Sequence, residues 1–105
     1  MKIAITSEGN TLDSKVDLRF GRASSFCFFN QETGETSFIE NENLNLNSGV
    51  GIKTAEKMIE LGVKKVISGH FGPKAKDLLD KFEIQMEEFQ KTDLTINEVL
   101  SKINS

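Results

Sequence analysis

The 105 residues carry 37% hydrophobic and 28% charged side chains, ordinary proportions for a globular chain, and their number suits one domain over 1–105 with one core. Thirteen Lys and Arg against sixteen Asp and Glu leave a formal charge of −3, which removes any global electrostatic case for nucleic acid or an anionic membrane as partner. The only cysteine, Cys27, excludes a disulfide framework and a thiolate cage, and the lack of a signal-peptide core or a membrane-length apolar run makes the cytoplasm the expected location.

Lys2 to Thr6 reads as a central strand. Ser7 to Ser24 follows as a long loop, a length that compact domains keep for ligand binding or for disorder. Ser25 to Asn30 and Glu35 to Asn41 are strands around a hairpin turn, Gln31 to Gly34, in which Gly34 is free to adopt positive φ. Period 2 puts Cys27 and Phe29 on one face of the first of these strands and Phe26 and Phe28 on the other, so Cys27 is expected to be a buried thiol. Asn41 to Ser48 is polar and leads into Gly49-Val50-Gly51. Both polar stretches, 7–24 and 41–51, bury little by composition and are expected to be less ordered than the helices without a ligand.

A helix is expected over Ser48 to Leu61, with Ile52, Ala55, Met58 and Ile59 inward and Gly62 as its stop. Val63 to Ser68 then has the length of a strand, and Ser68 to Pro73 links it to a helix over Pro73 to Phe82, where Ala75, Leu78, Leu79 and Phe82 follow the i, i+3, i+4, i+7 rule. Ile84 to Phe89 is the fifth strand. The last helix, Thr95 to Ile103, opens with a Thr95/Glu98 capping box and a Leu94–Val99 staple. Strand, helix, strand in the second half implies a right-handed parallel crossover. The expected class is therefore α/β: a mixed five-stranded sheet with helices on both faces and the first strand central.

Candidate chemistry concentrates in three loops. Both arginines of the chain lie in Arg19-Phe20-Gly21-Arg22, and guanidinium forks suit oxoanions and sulfide-rich anions. Pairing with Glu8, Asp13 or Asp17 is the competing reading. Gly69 and Gly72 bracket His70, the single histidine, just before a helix N-terminus, where ligands of open α/β sheets gather. Gly49 and Gly51 form a weaker pair. No phosphate loop, GxSxG, HExxH or evident nucleophile is present, so catalysis is not expected. The eight phenylalanines, without Trp or Tyr, read as core.

The segments KIAI, LDSKVDLRFGRA, ETGE, GVGIKTAEKMIELGVKKVISG, GHFGPKA and TINEVL, in this order over nearly the whole chain, resemble the dinitrogenase iron-molybdenum cofactor binding family, RFGRA and GP being the most specific. The resemblance implies a ribonuclease H-like motif and a non-catalytic carrier of an anionic metal-sulfur cluster, iron-molybdenum or molybdenum-copper sulfide, exchanged with a cluster-assembly or recipient protein. By that resemblance, cofactor contacts are expected at Arg19, Phe20, Gly21, Arg22, Gly69, His70 and Gly72; the glycine pair adds Gly49 and Gly51, and His70 is the one candidate metal ligand. Relatives often carry histidines before the first helix where this chain has SGVG, and this keeps open a small interaction or regulatory module of the same fold that binds no cluster. A two-metal nuclease of ribonuclease H type fits least, because the first strand has no acid.

Overall fold

The computed structural model describes residues 1–90 and 93–103. Strand β1 (Lys2–Ser7) pairs antiparallel with β2 (Ser25–Asn30) on one side and parallel with β4 (Lys65–Ser68) on the other. The hairpin continues to β3 (Thr36–Glu40), and β5 (Gln85–Glu88) closes the parallel side, giving the order β3-β2-β1-β4-β5. The first strand is thus central, as its apolar run predicts, because only a strand flanked on both sides and covered on both faces buries every residue from Ile3 to Ser7.

Helices α1 (Val50–Glu60) and α2 (Pro73–Lys81) lie on one face and α3 (Ile96–Ile103) on the other. The alternation of β2 decides which core each side chain enters. Phe26 and Phe28 join Ala4, Val66, Ala55, Met58 and Leu79 under α1 and α2, while Cys27 and Phe29 join Ile3, Ile5, Ile67, Ile96 and Val99 under α3. The capping box forms as predicted: the Glu98 amide donates to Thr95 Oγ1 at 3.2 Å and the Thr95 amide donates to Glu98 Oε1 at 3.0 Å. No helix among the described residues is long and apolar enough to cross a membrane.

Two expectations need correction. The inward stripe of α1 consists of Val50, Thr54, Ala55 and Met58; Ile52 is only half-buried, because it faces an open groove against α2 that Lys74, Leu78 and Lys81 also line. The loop after β1 is not a poorly buried stretch. Val16, Asp17, Phe20 and Ala23 are all buried, and the Val16 amide donates to Leu94 O at 2.8 Å while the Ile96 amide donates to Ser14 O at 2.9 Å, so the loop is laced to the entry of α3. Its buried residues lie on no helix or strand, so their burial comes from tertiary contacts that a pattern reading does not show. The segment 42–48 does match expectation in its exposure, with only Asn43 half-buried.

Candidate functional site: an arginine and glycine cleft

The C-terminal ends of the parallel strands β1 and β4 open into loops that run side by side. The His70 amide donates to Leu18 O at 2.6 Å and the Phe20 amide donates to His70 O at 3.1 Å, a one-residue parallel bridge that ties the two strand-end loops together. Gly69 makes this approach possible, since a Cβ there would stand 2.5 Å from Leu18 Cα and O. Backbone cannot yield as a flexible side chain can, so Gly69→Ala is expected to cost about 2–3 kcal/mol of folding stability by overpacking. Denaturant unfolding of the variant checks this.

Asp17 organises the first loop. It is buried although acidic, and its amide donates to Thr6 O at 2.9 Å while Thr6 Oγ1 donates to Asp17 O at 2.6 Å, fixing it over the end of β1. Its carboxylate then accepts from the Arg19 amide at 3.0 Å, from Arg19 Nε and Nη2 at 3.1 Å each, and from the Ser24 amide at 3.3 Å. The hydrogen bond to Asp17 and its charge raise the Arg19 pKa still further above the ordinary arginine value. Of the three carboxylates that sequence offers as partners, Asp17 alone makes an ion pair with an arginine among the described residues.

Arg22 differs. It is exposed, it makes no ion pair among the described residues, and its Nη1 donates to Leu44 O at 3.2 Å. Gly21, between the two, lies on the first turn of α1: a Cβ there would stand 3.0 Å from Gly51 Cα and N. Asn41 secures the same turn by donating from Nδ2 to Gly21 O and Ala23 O, both at 2.9 Å. Gly49 caps α1 at φ 73°, a left-handed conformation natural to glycine, and Gly72 caps α2 ahead of Pro73.

These loops enclose an open cleft of ≈ 380 Å³ lined by Arg19, Phe20, Gly21, Arg22, Ser48, Gly49, Val50, Gly51, His70 and Gly72. Eight of the nine residues named from the sequence therefore meet at one place. Gly69 does not; it is held beneath Leu18 by the close backbone approach described above. Phe20 borders the cleft but is 1% exposed and stacks against Phe71 at 5.1 Å between ring centroids, so its main part is in the core. Ser48 and Asp17 are the residues sequence reasoning underweighted. Asp17 carried a signal only as one of three possible arginine partners, and its burial depends on a tertiary position that no period reveals.

Chemically the cleft presents positive charge, one exposed imidazole, and the first turns of two helices whose leading N–H groups have no intrahelical partner. No group of three or more His, Cys, Asp or Glu that could hold a metal ion exists among the described residues. The cleft thus suits an anion. Cys27 is fully buried in the opposite core, and burial pushes its thiol up to about 11. Because the unfolded thiol titrates first, Cys27 contributes stability that is complete below about pH 8.5 and is lost as pH rises toward 11. A Cys27→Ala variant is expected to lose that alkaline slope, which urea midpoints measured from pH 7 to 11 will reveal.

A family model for dinitrogenase iron-molybdenum cofactor matches residues 1–105. The chain is 31% identical over 97 residues to MJ0580 of Methanocaldococcus jannaschii, covering 90% of this chain and 79% of that protein. Among solved structures, the apo form of the orange protein of Desulfovibrio gigas superposes with a TM-score of 0.90 at 31% identity, over 98% of this chain and 86% of that one. TM1290 of Thermotoga, placed in the DUF35 family, superposes with a TM-score of 0.82 at 27% identity, again over 98% and 86% of the two chains.

Proposed function

The chain belongs to the dinitrogenase iron-molybdenum cofactor family, and from that membership we propose that its cleft binds and carries an anionic metal-sulfur cluster without transforming it. The observation that carries the reading is the meeting of Arg22, Arg19, His70 and the two helix N-termini around one open cleft. A sulfide-bridged cluster, whether iron-molybdenum or molybdenum-copper, supplies its own inorganic sulfur. The protein then needs only cations, N–H donors and one ligand bond from a neutral imidazole. Arg22 meets the anion first, because the only hydrogen bond of its guanidinium among the described residues is to a carbonyl, which an anion displaces at little cost. Arg19 adds charge but remains tethered to Asp17. Nothing in the cleft supplies an activated nucleophile, in keeping with a carrier that accepts cargo from an assembly protein or passes it to a recipient.

A site built on exposed cations is sensitive to ionic strength. Uptake of a thiomolybdate-type anion, followed by its charge-transfer absorbance, is expected to weaken about tenfold between about 0.05 and 0.5 M salt, since the Debye length shrinks from roughly 14 to 4 Å. Salt-independent uptake would point to direct thiolate or apolar binding and would overturn the charge-based site.

A further inference from the structure

A second concavity, of ≈ 260 Å³, lies between α1 and the β2–β3 hairpin. Its floor is apolar: Phe26 and Phe28 from β2, whose ring centroids are 6.3 Å apart, and Ile39 from β3, which is 39% exposed because no helix covers the edge strand there. One wall is α1, and that wall contains Thr54, the buried residue that the helical period had not placed inward. Thr54 is 1% exposed, and its Oγ1 is the one buried side-chain polar atom without a hydrogen-bond partner among the described residues. A buried hydroxyl left unpaired lowers stability, and such groups in a folded protein mark places where a partner is missing. Threonine in a helix uses two χ1 rotamers, so this hydroxyl can be presented to an occupant without backbone movement.

The charge of the rim selects the occupant. Glu40, Glu42, Glu56 and Glu60 face Lys53 and Lys57, a net of two negative charges, and Lys53 is already paired with Glu56 at 3.8 Å. Carboxylates around an apolar floor attract organic cations and repel carboxylates. We propose that this groove binds a small organic ammonium, its apolar body against Phe26, Phe28 and Ile39 and an N–H of its ammonium group donating to Thr54 Oγ1. The groove and its ligand are independent of the arginine cleft and of any cluster.

The test is a heteronuclear NMR titration of the full chain with phenethylammonium, beside 3-phenylpropanoate as the matched carboxylate. Phenethylammonium is expected to give saturable shifts at Ile39, Asn43, Thr54 and Lys57 with a Kd of about 1 mM, the range open to a ligand of this size. The carboxylate is expected to bind at least about tenfold more weakly because of the acidic rim. Thr54→Val, which removes the hydroxyl and keeps the shape, is expected to weaken the amine about fivefold while leaving the thermal midpoint unchanged or raised. Ile39→Lys, at a half-open position that folding tolerates, is expected to abolish the shifts. Absence of saturation, equal binding of the carboxylate, or wild-type affinity in Thr54→Val would each overturn the proposal.

Discussion

Arg19→Ala combined with Arg22→Ala is expected to abolish uptake of a thiomolybdate-type anion. Hydrogen bonds to a charged group contribute about 1.5–3 kcal/mol each, so losing Arg22 alone lowers affinity about 10- to 100-fold and losing both removes binding at micromolar protein. The structure assigns the two arginines unequal shares. Arg19 already gives Nε and Nη2 to Asp17, and among the described residues Arg22 has only the Leu44 carbonyl to leave. Arg22→Ala is therefore expected to do more damage than Arg19→Ala. His70→Ala is expected to weaken uptake by a smaller factor through loss of one metal bond, and Cys27→Ala to leave it nearly unchanged, because that thiol is sealed in the other core. Absorbance titrations of the four variants side by side check the ranking.

The second large effect is expected at Asp17, which touches no cargo. Asn in its place keeps the shape but turns one acceptor oxygen into a donor facing N–H groups of Arg19 and Ser24. The guanidinium is largely exposed and turns to water, so the cost falls on the partly buried amides of Arg19 and Ser24 and is about 1–2 kcal/mol, which in a chain of this size lowers the thermal midpoint by about 5–10 °C. The same change frees Arg19 and removes a negative charge beside the cleft. Asp17→Asn is thus expected to raise the affinity for an anionic cluster while lowering stability. A calorimetric melt together with the absorbance titration separates the two effects; a variant with wild-type stability would show that the four hydrogen bonds to this carboxylate contribute little.

Much of the fold was legible because its elements carry strong local signals. The Thr95/Glu98 box, Pro73 at a helix start, and Gly34 and Gly62 at φ 78° and 75° all mark boundaries by their own chemistry. The alternation Phe26-Cys27-Phe28-Phe29 was enough to sort two cores, since a β-strand offers only two faces. The cleft was legible as well, through rarity: two arginines three positions apart and one histidine close to two glycines stand out in any reading.

What escaped the sequence is tertiary in origin. Asp17 is buried because Thr6 and Ser24 happen to close around it, and no spacing rule distinguishes it from the exposed Asp13. Gly69 reads as a ligand contact by sequence, and the structure shows a packing requirement there as well, because the demand for a missing Cβ comes from Leu18, fifty-one residues earlier. Thr54 took the inward place expected for Ile52, since tertiary placement turns Ile52 to the open groove beside α2.

The cleft as the seat of cluster binding is tested most directly by mapping amide shifts while a thiomolybdate-type anion is titrated into the wild-type chain. Saturable changes confined to residues 19–22, 48–51 and 70–72, accompanied by altered charge-transfer bands, are the expected result. Changes centred on Cys27 and the α3 core, or bands that never depart from those of the free anion, would contradict it.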